Sequence, residues 1–214
     1  MNNVYENNMR FLPILKFWDK YKKIISLLVL TLIGLITFFI INKQINKYQS
    51  EQAALIYNDW QTEILSEEPN IENLNSLLDD FLKSYKKTGY TQLALLEKAN
   101  LDAKLKNYDE ALYNFNELIM LTDGARDNKI FNKISRVSAS RILLSLERYD
   151  EALSMIEKYS LGDTNAPIHE LAGDILFKQG KVNLAINQYE AAEEKYTDQT
   201  SKSIISMKIA SISN

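Results

Sequence analysis

The chain holds one histidine, His169, and no cysteine. Acid–base or nucleophilic catalysis would therefore rest on one imidazole and a set of carboxylates, with thiolate nucleophiles, disulfides and cysteine metal sites excluded. His169 follows Asn165-Ala166-Pro167, near the start of an expected helix, where a solvent-exposed or capping imidazole is the simplest reading. The adjacent acidic pairs Glu67-Glu68, Asp79-Asp80 and Glu193-Glu194 point in different directions on a helix, so they read as solvated faces rather than paired ligands. No G-x-x-x-x-G-K-S/T or G-x-G-x-x-G segment offers a phosphate cradle. These residues predict no enzyme, no cofactor and no metal centre.

Whatever this chain does, its elements must place it first. Ile24 to Ile41 form eighteen consecutive uncharged residues, with only Ser26, Thr31 and Thr37 polar in side chain. At the helical rise the run spans roughly 27 Å, close to the hydrocarbon thickness of a bilayer. Arg10, Lys16, Lys20, Lys22 and Lys23 precede it and only Lys43 and Lys47 follow closely. That asymmetry predicts a cytoplasmic leader and an exported remainder, with Trp18 and Tyr21 at headgroup level. The run exceeds an ordinary signal-peptide core, and no alanine occurs before Ala53 to build a cleavage site. An uncleaved anchor is expected. Gly34, a lone glycine within it, is a weak signal for close helix contact. Residues 48–214 carry 18 basic and 26 acidic side chains, a poor balance for nucleic acid or anionic lipid.

Beyond the anchor, Ala53, Ile56, Tyr57, Trp60 and Ile64 form one apolar helical stripe, which no breaker separates from the membrane segment. Pro69-Asn70 marks a stop and a new N-cap. Ile71, Leu74, Leu78, Phe81, Leu82 and Tyr85 stripe a second helix ending near Gly89. Then the chain repeats itself. Asn107 to Leu112 reads NYDEAL, and Arg148 to Leu153 reads RYDEAL. A looser third copy over 170–194 has Gly180-Lys181 in place of the turn. Ala111, Ala152 and Ala185 align, 41 and 33 residues apart, with a longer inter-repeat loop expected around Leu121 to Lys129. Methyl-sized side chains there let two helices of a hairpin approach closely, and Tyr108 and Tyr149 wedge the turn between them. Asp109-Glu110 and Asp150-Glu151 suit the positive end of a helix dipole. Phe115, Ile156 and Tyr189 follow the alanines by four residues on the same face. Ala99, Ser140 and Gly173 are the small residues twelve positions earlier. A unit of this kind buries its apolar face only by stacking on neighbours.

These residues resemble the tetratricopeptide repeat, in three degenerate copies over roughly residues 91–196. The fold class expected is all-α: an N-terminal transmembrane helix followed by a tetratricopeptide-like helical-hairpin solenoid. Its divisions are a leader at 1–23, the span at 24–41, membrane-proximal helices at 42–90, and repeats with a C-terminal capping helix at 91–214. The leader FWDKYKKI (Phe17 to Ile24), the stripe through Tyr57 and the ending MKIASI (Met207 to Ile212) are further similar to the ancillary subunits of the bacterial Sec translocon. That resemblance implies an inner-membrane protein with its N-terminus in the cytoplasm and its repeats in the periplasm. It implies protein partners: translocon subunits, periplasmic chaperones and client polypeptides. Tetratricopeptide geometry, carried over, puts Asn100, Lys104, Arg141, Asp174 and Phe177 on the groove formed by the first helix of each pair, where polar groups and an aromatic suit peptide capture. A scaffold for envelope or cell-division assembly, a regulatory subunit of a membrane enzyme, and the inverted topology stay open at this level.

Overall fold

The computed structural model describes residues 3–124, 128–160 and 165–212. The side chains of Arg10 and Lys16, and part of the loop expected around Leu121 to Lys129, lie outside the described residues. All regular structure among the described residues is helical, as expected: α1 (Asn3–Ile64), α2 (Ile71–Ser84), α3 (Gly89–Lys104), α4 (Tyr108–Thr122), α5 (Lys129–Ser145), α6 (Tyr149–Ser160), α7 (Ala166–Lys178), α8 (Val182–Lys195) and α9 (Gln199–Ile212). Two compact units divide the chain, Met1–Gln52 and Ala53–Asn214.

The first unit holds most of α1. Lys20–Ile64 contains a window long and apolar enough to cross a membrane, with none of that window buried. Leu30 and Phe39, 69% and 68% exposed, are typical of its side chains. The hydroxyl of Thr31 donates back to the carbonyls of Leu27 and Leu28, at 3.0 and 2.8 Å. A polar group in the apolar run is thereby satisfied within its own helix.

The second unit starts on the last turns of α1. Ala53, Tyr57 and Trp60 enter a core with Leu74, Leu78 and Phe81 of α2 and Ala94 and Leu95 of α3. Both Tyr57 and Trp60 meet the Phe81 ring edge-on, at 6.4 and 6.2 Å between centroids; such pairs add about 1 kcal/mol beyond their burial. Asn70 caps α2 by accepting from the Asn73 amide. The second helix ends at Ser84, earlier than the apolar stripe suggests, and Gly89 opens α3 instead. Thr88 decides this by accepting from the Thr91 amide as the N-cap of α3.

Three antiparallel hairpins follow, α3–α4, α5–α6 and α7–α8, each pair joined by a three-residue turn. The second helix of each hairpin packs on the first helix of the next, and α9 packs on α8. Because α5 also touches both α3 and α7, the first helices make a layer of their own. Ala99, Ala111, Phe115, Ala139, Ala152, Ile156, Ala172 and Ile175 form one core from the first hairpin to the first helix of the third. Ala185, Tyr189 and Ala192 of α8 form another with Leu176 and Ile205. Among the described residues one buried ion pair enters the hairpin interior. The Lys98 ammonium lies 2.6 and 2.7 Å from the two oxygens of Asp102, which also accepts from Asn114 of α4 at 3.0 Å. Both charged side chains are at least 97% buried; removing one partner of such a pair strands the other.

Candidate functional site

Each first helix ends in the same backbone device. Lys106, Glu147 and Gly180 adopt positive φ, at 64°, 60° and 75°. Beyond each, an amide reaches back into the preceding helix: Asn107 to the Asp102 carbonyl, Arg148 to Leu143, and Lys181 to Leu176. The residues just past the turns then accept from Ala111, Ala152 and Ala185 through their carbonyls, opening the second helices. All three alanines are fully buried, while Tyr108 and Tyr149 pack half-buried against the same core. Spacing, turn and small residue coincide three times.

A model of the tetratricopeptide repeat-like domain family matches residues 15–214. The chain belongs to this family. It is also similar to the ancillary SecYEG translocon subunit of Aggregatibacter actinomycetemcomitans, with 23% identity over 188 residues that make up 86% of this chain and 87% of that protein. This family membership directs attention to the layer of first helices, α3, α5 and α7, continued by α9.

On α3, Asn100 and Lys104 are exposed. Arg141 is exposed on α5 and Phe177, 40% exposed, on α7. Asp174 differs. It is half-buried and accepts from the Tyr189 hydroxyl and the Lys208 ammonium, both at 2.7 Å. Lys208 also reaches Glu170, one turn earlier on α7, at 2.8 Å, and Tyr196 donates to the same carboxylate at 2.5 Å. The α7 acids thus hold α9 through Lys208, and the end of α8 through both tyrosines. Burial would raise the Glu170 carboxyl, but the hydrogen bonds from Lys208 and Tyr196 hold it below its ordinary value. Burial would lower Lys208, yet Asp174 and Glu170 keep it raised. The phenols of Tyr189 and Tyr196 are pushed up, first by burial and then by their carboxylate partners.

A similar tie closes the other end of the layer. Glu97 of α3 accepts from the Tyr57 hydroxyl at 2.9 Å and from the Trp60 indole at 2.7 Å. Burial and Glu97 together push the Tyr57 phenol up to about 12.

Two apolar residues absent from the sequence expectation join this surface. Ile130 and Ile134 of α5 are 70% and 41% exposed. With Val137 and Arg141 they follow i, i+4, i+7, i+11 spacing, one stripe of a helix. The spacing was present in the sequence, but a stripe of this kind reads as core unless burial is known. Sequence reasoning also missed Lys208, whose partners lie 34 and 38 residues away.

His169 does not match its expected exposure. Only 6% of it is accessible, because α7 is covered along most of its circumference by neighbouring helices, and its Nδ1 lies 2.9 Å from Gln188 Oε1 on α8. Among the described residues no group of three His, Cys, Asp or Glu side chains could hold a metal ion. A cleft of about 630 Å³ lies over two successive hairpin turns, with Arg148, Asp150, Lys178 and Gln179 in its wall. Within it Arg148 grips Glu151 through two bonds, and Gln179 donates to Asp150.

Proposed function

We propose that this chain is a single-span inner-membrane protein whose periplasmic repeat domain is a non-catalytic interaction module. It works as an accessory subunit of the Sec translocon, assisting exported proteins together with periplasmic chaperones. The observation that carries the reading is the similarity to a protein named as an ancillary SecYEG translocon subunit, extending over most of both chains. The lysine-rich flank before the apolar run supports the orientation. The face bearing Asn100, Lys104, Arg141 and Phe177 is the groove for clients. Tethering in the plane of the translocon raises the effective concentration of that groove at emerging polypeptides, so mass action suffices without covalent chemistry.

Photocrosslinking residues placed along Ile24 to Ile41 in intact membranes test the proposal. Recovery of translocon or periplasmic chaperone subunits is expected, and their absence would sink the assignment. A reporter fused to the C-terminus should be active only in the periplasm.

A further inference from the structure

We infer that α9 is the first helix of a fourth hairpin, and that a second copy of this chain supplies the helix that pairs with it. Two α9 helices pack antiparallel across a two-fold axis at Met207. The inference rests on the single-span membrane reading and not on the translocon assignment.

Packing order sets the frame. α9 lies on α8 as α5 lies on α4 and α7 on α6, which is the place of a first helix. In α7 the face turned to its own second helix is His169, Gly173 and Leu176. His169 reaches Gln188, Gly173 abuts the Tyr189 ring, and Leu176 packs with Ala185. Asp174 and Lys208, 34 residues apart and bonded to each other, set the register between α7 and α9. The same interval carries Leu171 and Ile175 onto Ile205 and Ile209, which pack on α8. It carries the face that α7 turns to α8 onto Ser203, Met207 and Ala210. All three are exposed, Met207 at 71%.

The chemistry of this face suits a copy of itself. Its exposed residues, Ser203, Ile204, Ser206, Met207, Ala210 and Ser211, are all uncharged, so it holds no charge pattern to select a different partner. The hydroxyls of Ser203 and Ser211 donate back to the Gln199 and Lys208 carbonyls, at 2.9 and 2.7 Å. What they leave is small surface with its hydrogen bonds already made. Met207 therefore stands between small side chains one turn away on either side. Across a two-fold axis the two adaptable thioethers meet, and Ser203 of each copy faces Ala210 of the other. The helices of a hairpin run antiparallel too, so the axis gives α9 the partner orientation that α7 finds in α8. An isologous contact needs one self-complementary patch.

One helical face falls short of the roughly 1,600 Å² of a standard interface. The two domains also repel, each with 26 acidic against 18 basic side chains in residues 48–214. The pair therefore forms where the apolar spans confine both copies to one membrane plane, and it tightens as salt screens the domains.

The chain has no cysteine, so one introduced thiol reports on one position. In membranes carrying the full chain, oxidised Met207→Cys should give a disulfide-linked homodimer. Ser203→Cys and Ala210→Cys should each link little alone, and should link when the two variants are expressed together. Asn187→Cys, exposed on α8, is the control and should not link. Co-purification of two differently tagged copies reads the axis a second way, and should rise with salt. It should be lost with Met207→Asp in both copies or Met207→Lys in both. Met207→Asp in one copy with Met207→Lys in the other should restore it. Absence of the Met207→Cys homodimer, equal linkage of Asn187→Cys, or no rescue by the opposite charges would overturn the inference. So would linkage of Met207→Cys to a different protein alone, which would give the face to a foreign partner. Photocrosslinks from the anchor are read separately, so the translocon assignment and this pairing can fail apart.

Discussion

The Lys208 ammonium of α9 lies 2.7 Å from the Asp174 carboxylate of α7. It reaches Glu170 as well, and its charge sits 5.5 Å from the centre of the Tyr189 ring. One side chain thus fastens the last helix to the third hairpin. Lys208→Met retains an apolar stem but strands two carboxylates. We expect a loss of about 1–2 kcal/mol, kept small because solvent screens a cluster roughly a third exposed. Urea denaturation checks it, and the difference from the parent chain should shrink in high salt.

The same cluster sets a pH dependence. Glu170 is lowered in the folded state, so its contribution is present above the ordinary glutamate value and is lost as pH falls through the lower folded value. Lys208 is raised, so its contribution is present below the ordinary lysine value and is lost only as pH climbs through the folded one. The clamp is therefore whole across neutral pH and opens first in acid. Stability curves across the acid range should fall more steeply for the parent chain than for Lys208→Met.

Lys106 and Glu147 hold the left-handed conformation that Gly180 adopts without strain. Lys106→Gly and Glu147→Gly should each stabilise by about 0.5–1 kcal/mol, the relief of strain exceeding the added flexibility of the unfolded chain. Gly180→Ala should cost about 1 kcal/mol. Thermal melts of the three variants rank them, and a destabilised Lys106→Gly would contradict the shared-turn interpretation.

At Gly173 a methyl group would meet Cδ1 and Cε1 of Tyr189 at 2.6 Å. That ring is 2% exposed and held at its hydroxyl by Asp174, so it cannot swing away cheaply. Gly173→Ala should destabilise by about 1–3 kcal/mol, and cutting the ring back with Tyr189→Leu should recover part of the loss in the double variant. Additive losses would show that the two positions do not interact.

Tyr57 should ionise near pH 12, well above an ordinary tyrosine, because burial and the Glu97 carboxylate oppose the phenolate. Glu97→Gln removes the charge and should bring the value down. Titration followed by NMR of labelled tyrosine reads this directly.

Much of this architecture was legible beforehand because it depends on local spacing. The repeated hexapeptides gave the hairpins, and the aligned alanines gave the close approach of their helices. The family match over residues 15–214 agrees with both. What escaped depends on distant or backbone facts. A positive φ at Lys106 or Glu147 leaves no mark in residue type, since only the third copy uses glycine there. Burial of His169 follows from how many helices cover α7, a property no single helix encodes. Asp174 was visible as a groove position, but its engagement by Tyr189 and Lys208 required residues from two later helices to be in place.

The three hairpins share a turn, yet no two are stitched alike inside. The first encloses Lys98, Asp102 and Asn114. In the second, the Ser140 hydroxyl donates to the Ala152 carbonyl at 2.7 Å. The third closes the bare Gly173 against a tyrosine ring. A stack slipped by one repeat would take the Asn114 amide away from the buried Lys98–Asp102 pair, or drive a side chain into that ring. Similar outside and private inside, the hairpins carry an address as well as a shape. A chain so labelled favours one order of stacking, and two such chains have little to gain by exchanging pieces.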